Sequence, residues 1–417
     1  MKKTVFRCLG AAAIAFALQF TQASVQAAPL FSVCAPCDEV GCFDESTLCD
    51  PCDAVCGPKA GKWFLKGHME AGFFANSHGS RTLYEDGLPV PISGNTDLLM
   101  NTRLTGAQIN QVYLSAGRAV DGKRGLDIGG QVDFTWGSDA WIAQSAGLET
   151  GTGRTSWSKG DYYSAIAQAY GEVAYGRANV IVGKFYTPFG TSVYTSTDNF
   201  FYSWAPTTLI VPTTGGGAYA SYKASDRLTL LGGWVMPDEI GESSKYNTFF
   251  GGAVWTPCER FSVSYALATG ENKYVEEPYK IFIHTLLATT QLSKRLKYVF
   301  EWSIQNINVE DTHAAAYGLN NEVIYQINKK WAAGTRFGLV NLNEAYIGTT
   351  GAEDGLGWAA PGDWYYVSVG ANWTPNKWLT VKPEIRYDWM DPKEITPFAN
   401  GAEYSQFSGG VSAVVKF

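Results

Sequence analysis

Between Asp363 and Met390 the hydrophobic and polar positions alternate along two successive arms. Tyr365, Val367, Val369, Ala371 and Trp373 share one parity, and Tyr366, Ser368, Gly370 and Asn372 the other. After Thr374-Pro375-Asn376-Lys377 the pattern resumes, with Leu379, Val381, Pro383, Ile385, Tyr387 and Trp389 set against Thr380, Lys382, Glu384, Arg386 and Asp388. Successive strand side chains point to opposite faces, so this stretch predicts an antiparallel hairpin with one apolar and one polar, charged face. A half-solvated sheet of a soluble protein alternates in the same way. The aromatic residues near both ends of the apolar face, on arms of about nine to eleven residues, point instead to strands that cross a membrane.

The same logic recurs from Gly61 onward. Leu126, Ile128, Gly130, Val132, Phe134 and Trp136 alternate with Asp127, Gly129, Gln131, Asp133 and Thr135. Similar patterns mark 63–73, 261–268 and 297–305, whereas Val180–Phe185 and Ile281–Thr290 are apolar on both parities and their facing is open. Seven short polar turns, at 121–124, 176–179, 224–227, 257–260, 293–295, 328–330 and 375–377, carry the Gly, Asn, Asp and Pro that tight turns use. They alternate with eight longer connections near 76–105, 138–162, 187–214, 236–247, 270–279, 308–314, 342–362 and 391–403. The fold class expected is all-β: a transmembrane antiparallel up-and-down barrel of about sixteen strands over 61–417. Short turns would face the periplasm and long loops the exterior. The last strand, with Phe407, Val411, Val415 and Phe417 on one face, resembles the assembly signal of outer-membrane barrels.

Composition sharpens this picture. The chain has 45 Gly, 23 Tyr, 22 Phe and 14 Trp among 417 residues, a mixture suited to a large aromatic β-structure. A formal charge of −7 without a basic patch gives nucleic acid no footing. Lys2, Lys3 and Arg7, the apolar stretch Leu9–Phe20 and Val25-Gln26-Ala27 form the three parts of a secretory signal over 1–27. A cysteine-rich leader follows over 28–60, with Cys34, Cys37, Cys42, Cys49, Cys52 and Cys56 set among six acidic residues. Two CxxC pairs suit a zinc or iron–sulfur site in a reducing compartment, but export favours disulfides, in a connectivity that spacing leaves open. Cys258 is left without a partner.

Several stretches together resemble the OmpL-like β-barrel porin family: Gln111-Val112-Tyr113-Leu114, 168–176, 182–190, Asp198-Asn199-Phe200-Phe201-Tyr202-Ser203, 225–230 and 296–300. The likeness covers most of the body after Gly61. It implies an outer-membrane barrel and a pore, and it brings no catalytic residues or cofactor with it. The residues agree. His68, His78, His284 and His313 lack the partners that catalysis needs, and no nucleophile elbow, HExxH or phosphate loop occurs.

The expected function is therefore a water-filled channel for passive diffusion of small hydrophilic solutes. The alternative is a structural or adhesive surface barrel whose lumen is closed by loops. Glu301, Arg336, Lys382, Glu384, Arg386 and Asp388 are the candidate pore-lining residues, being charged and on the inward parity. His68 and His284 are read as facing the same way. The third long loop, Thr187–Thr214, stands apart from the others, with Tyr194, Phe200, Phe201 and Trp204 and a single acidic residue, Asp198. Such an aromatic loop seeks burial, so it is expected to fold inward as a constriction loop. Outer-membrane lipid and solutes are the expected partners. A homo-oligomer, and a cell-wall or periplasmic partner for the leader, are further expectations.

Overall fold

The computed structural model describes residues 61–79, 81–85, 88–92, 101–102, 105–145, 148–149, 157–237, 248–274, 277–309, 312–343, 361–392, 398–399 and 402–417. The signal segment and the cysteine-rich leader lie outside the described residues.

Sixteen strands of nine to fifteen residues form the barrel. They are β1 (Trp63–Asn76), β2 (Gly106–Arg118), β3 (Asp127–Gly137), β4 (Tyr162–Tyr175), β5 (Ala178–Tyr186), β6 (Thr214–Ser225), β7 (Leu228–Pro237) and β8 (Thr248–Cys258). The second half comprises β9 (Phe261–Tyr274), β10 (Glu277–Gln291), β11 (Leu296–Val309), β12 (Thr312–Gln326), β13 (Trp331–Leu342), β14 (Gly362–Asn376), β15 (Leu379–Pro392) and β16 (Ser405–Lys416). Each strand pairs antiparallel with its sequence neighbours, and β1 pairs with β16 through Met69↔Val415 and Phe73↔Val411, closing the sheet. All seven expected turns and six of the eight expected long connections fall between these strands, whereas 270–279 and 308–314 are not long connections: the strands run on through them, with Tyr274 paired to Glu277 and Val309 to Thr312. A short hairpin, 81–85 with 88–92, lies in the first long connection, and a two-residue strand at 158–159 extends the second.

The alternation reads out as two faces. Ile385 and Val369, neighbours across β14 and β15, are 64% and 53% exposed, while Lys382, Glu384, Arg386 and Asp388 point inward and are buried. Outward aromatic residues such as Trp63, Trp331, Trp373, Trp389 and Phe407 add to this apolar outer surface. Hydrocarbon hydrates nothing, so closure matters here: with β1 bonded to β16, no strand edge is left open to lipid.

The structure places the two strands whose facing the sequence left open, and one of them overturns the expected position of His284. On β10, Ile281, Ile283, Thr285 and Leu287 take the inward face, which places His284 outward beside the Tyr265 hydroxyl and the Phe282 ring. His284 therefore does not face the lumen. The reason is the apolar lining on this side: Ile281 and Ile283 join Phe250, Ile307, Val340, Trp364 and Met390 in one buried cluster, so the inner wall is not polar throughout. On β5, Val180 and Val182 face out and Ile181 faces in, until Gly183 breaks the pattern with φ +136°. Lys184, Phe185 and Tyr186 are then all buried. A side chain at Gly183 would place its Cβ 2.2 Å from the Ala169 carbonyl oxygen, so glycine is required there.

An arginine on the outer face at mid-barrel has no water to reach. Ile385→Arg is expected to cost about 2–4 kcal/mol of barrel stability, the range for a cation near the bilayer midplane. Reversible denaturant unfolding from lipid vesicles measures this, and a change near zero would place Ile385 away from lipid.

Candidate functional site: the loop across the lumen

The connection 187–213 leaves β5 and returns to β6 by way of the barrel interior. It ends in a short 3-10 turn, Pro206–Ile210. Tyr194, Phe201, Tyr202 and Trp204 are at most 2% exposed, and Phe200 is half-buried. Two glycines leave room for the rings. A Cβ at Gly334 would sit 2.6 Å from the Phe200 ring, and one at Gly370 would sit 3.1 Å from Phe201.

Ser203 is the loop's main anchor. Its amide donates to Glu384 Oε2 at 2.8 Å and its hydroxyl to Glu384 Oε1 at 2.7 Å. Its carbonyl accepts from Arg336 Nη1 at 2.7 Å, and its Oγ accepts from Arg336 Nη2 at 2.6 Å. Arg386 Nη1 reaches Ser203 Oγ and the Trp204 carbonyl, both at 3.3 Å. Strand register explains how these charges converge. Arg336, Ser368 and Arg386 lie in one row across β13, β14 and β15, with the small serine between the two guanidinium groups. Arg336 also forms an ion pair with Glu384 at 3.2 Å and lies over the Phe201 ring, while Asp388 holds Arg386 through two bonds. Every charge is thus paired, as burial away from water demands.

Other strands grip the rest of the loop. Glu301 on β11 accepts from the Thr191 amide at 2.9 Å and from its hydroxyl, and Asn320 on β12 donates to Thr191 Oγ1 at 2.9 Å. Lys382 Nζ donates to the carbonyls of Ser196 and Asn199 at 2.5 and 2.6 Å. Across the barrel, Gln111 on β2 donates to the Tyr194 carbonyl at 2.7 Å and accepts from the Ser196 amide. Tyr194 donates to Thr135 Oγ1, and Tyr202 to Asn110 Oδ1. Asp198 stays within the loop, accepting from the Thr195 and Thr197 hydroxyls.

All six wall residues expected from the sequence face inward, and at 0–3% exposure they lie beneath the loop or its charged partners. The sequence reading passed over Asn110, Gln111, Thr135 and Asn101, which donates to the Tyr202 carbonyl and accepts from the Trp204 amide. A signal for two of them was present: Asn110 and Gln111 are adjacent polar residues in an otherwise alternating strand. A bulge opposite Glu70 and Ala71 turns both inward.

The second long connection also enters the lumen. Its 3-10 turn Ala140–Ala143 packs with Tyr113, Tyr194 and Trp204, and Glu149 meets Lys184 in a buried pair at 3.3 Å. Asp139 accepts bonds from Asn110 and Gln111, while burial, and then the nearby Glu70 carboxylate, raise its carboxyl group well above the usual range.

Removing Glu384 leaves Arg336 and the Ser203 amide buried without their acceptor, a cost of about 3–5 kcal/mol for a broken buried pair. Glu384→Ala is therefore expected to free the loop. Limited chymotrypsin digestion of the folded barrel should then cut at Phe200–Tyr202, where the parent resists. Equal resistance in both would mean that this anchor is dispensable.

Residues 65–417 match the family described as "Putative beta-barrel porin-2, OmpL-like". No curated protein matches the sequence. Among solved structures, the outer membrane channel DcaP of Acinetobacter baumannii aligns with TM-score 0.56 and 12% identity, covering 87% of this chain and 99% of that one. The anion-selective porin from Comamonas acidovorans aligns with TM-score 0.55 and 10% identity, covering 85% and 99%. OmpT of Vibrio cholerae follows with TM-score 0.52 and 12% identity, covering 87% and 99%. At these identities the likeness is one of fold. The family match spans the whole barrel, and the chain belongs to the OmpL-like β-barrel porin-2 family of outer-membrane porins.

Proposed function

We propose that small hydrophilic solutes cross the outer membrane by passive diffusion through this barrel, and that residues 187–213 set the width of the passage. The observation that carries this reading is the set of bonds from the loop to β2, β3, β11, β12, β13 and β15, which hold it across the lumen rather than over the rim. A sixteen-stranded barrel without such a loop encloses an aqueous channel. With it, the charged wall from Glu301 to Asp388 meets backbone groups of the loop instead of bulk water, leaving a narrower route. Membership of a porin family speaks for a channel rather than an enzyme.

A second reading keeps the loop as a closure, so that the barrel serves a structural or adhesive role. It is favoured by how little of the inner wall is exposed on the β11–β15 side. Deleting Tyr194–Pro206 separates the two. If the loop narrows a working channel, the parent conducts in planar bilayers and the deletion gives a clearly larger single-channel step, with heat-shifted gel mobility confirming a folded barrel. A silent parent whose deletion variant conducts would favour closure. An unchanged step in a folded variant would put the loop outside the conducting path.

We further propose that the short turns face the periplasm. In a Cys258→Ser background, His313→Cys is expected to react with an impermeant thiol label on whole cells, and Lys294→Cys to be shielded. The reverse pattern would invert the barrel.

A further inference from the structure

The fifth, sixth and seventh short turns are built alike. In each, a Ser or Asn side chain accepts from the backbone amides two and three residues on. Ser293 accepts from Arg295 and Leu296 at 3.2 and 3.1 Å, Asn328 from Lys330 and Trp331 at 2.9 and 3.2 Å, and Asn376 from Trp378 and Leu379 at 3.1 and 3.0 Å. The opening residue is thereby engaged in the turn itself. The cations that follow it, Lys294-Arg295, Lys329-Lys330 and Lys377, are left exposed. Backbone bonds tie these turns side by side: the Gln326 amide donates to the Arg295 carbonyl at 2.7 Å, and the Thr374 amide to the Lys330 carbonyl at 2.8 Å. Five cations therefore stand in one arc at the short-turn ends of β10–β15.

The arc lacks counter-charges of its own. Segments 292–297, 327–332 and 373–380 hold no Asp or Glu, and among the described residues none of the five cations forms an ion pair. The other four turns also carry five cations, but against Asp121, Asp226 and Glu259, with Arg177 3.8 Å from Asp226. Next to the arc the outer wall is aromatic. Tyr325, Trp331 and Trp373 face outward and are 37–45% exposed, and the Trp331 and Trp373 rings stack with centroids 6.0 Å apart. Such rings sit where acyl chains meet headgroups, so cations one or two residues beyond them lie level with headgroup phosphates. The partner that fits is an anion carried on acyl chains. We propose that this arc binds anionic phospholipid, with Lys294, Arg295, Lys329 and Lys330 on the phosphate and the Trp331–Trp373 pair against the upper acyl chains.

The spacing suits that partner. Adjacent short turns are two strands apart, about 10–12 Å along the rim from a strand spacing of ~4.8 Å and a tilt near 40°. Long side chains from neighbouring turns can thus close on one phosphate. Arg295 offers a planar fork that takes two phosphate oxygens, and the lysines add point charges. A lone exposed cation gains little in water, whereas several cations held beside an anionic lipid surface act together. In the orientation proposed above, these are phospholipids of the periplasmic leaflet. The site itself is the same whichever end of the barrel faces outward, and it stands apart from whether the loop 187–213 narrows or closes the lumen.

The test is photolabelling of the purified full-length barrel in neutral detergent, read by peptide mass spectrometry. The probes are phosphatidylglycerol and phosphatidylethanolamine sharing one diazirine-bearing acyl chain. At ~0.1 M salt, phosphatidylglycerol adducts on peptides containing Trp331 and Trp373 should exceed phosphatidylethanolamine adducts about fivefold or more, the factor that one cation contributes at an anionic surface. At ~1 M, where the screening length falls from ~10 Å to ~3 Å, the two lipids should label nearly equally. The combined variant K294Q, R295Q, K329Q and K330Q should lose the preference with its heat-shifted mobility intact, and the opposite-side variant R177Q, R227Q and R260Q should keep it. Should the first variant fail to fold, the salt series on the parent decides alone. Equal labelling by the two lipids at low salt in a folded parent would overturn the proposal. So would a preference spread evenly around all seven turns, because the rim would then act as a whole and not through this arc. Displacement of the label by glycerophosphoglycerol, the headgroup without acyl chains, as readily as by unlabelled phosphatidylglycerol would refute the lipid assignment, since a free anion would then suffice.

Discussion

Hydrocarbon offers no partner for a backbone amide or carbonyl, and the whole architecture follows from that one constraint. Every strand of this chain must be bonded on both sides, which the β1–β16 seam achieves. Once the sheet is closed, alternation fixes what each side chain meets: on β14 and β15, lipid at odd positions such as Val369 and Ile385, and the interior at even ones such as Arg386 and Glu384. An enclosed interior of sixteen strands is too wide for wall side chains alone to fill. The chain supplies the filling from its own connections, sending 187–213 and part of the second loop inward.

Placing a loop inside a charged barrel raises the same accounting problem one level higher. The loop's amides and carbonyls leave water as it enters, and so do the wall's carboxylates and guanidinium groups. The structure settles both at once by pairing them. Glu384 and Glu301 accept from loop amides and hydroxyls, and Arg336, Arg386 and Lys382 donate to loop carbonyls. Aromatic rings fill the space between, with Arg336 over Phe201 and Tyr194 against Trp204. The wall is thus complementary to this loop, which explains why charges that look like channel lining are so little exposed.

Much of this was legible in the sequence because the governing periods are short. Most strand facing, the seven turns and six of the eight long connections follow from a two-residue alternation and from turn chemistry, both local; the polar residues at 270–279 and 308–314 read as loops but extend the strands. The inward aromatic loop was legible through its composition, since Phe200, Phe201, Tyr202 and Trp204 have no place on a solvated surface. What escaped is what local pattern does not encode. His284 faces outward because the apolar cluster around Ile281 and Ile283 claims the interior, a fact set by residues on many other strands. Asn110 and Gln111 share a face only through a bulge, and the Lys184–Glu149 pair joins a strand to a loop 35 residues away.

The central claim is that the loop keeps its wall-bound position while the channel works. A reversible tether addresses it most directly. Thr191 and Asn320 are in side-chain contact between loop and wall, so the double variant Thr191→Cys, Asn320→Cys, in a Cys258→Ser background, offers a disulfide across that contact. Single-channel conductance is recorded on the oxidised protein, with the bond verified by mass, and again after reduction. If the loop defines the passage from where it sits, the oxidised and reduced steps are the same size. A channel that is silent when oxidised and opens on reduction would contradict this, because solutes would then pass only after the loop leaves the wall.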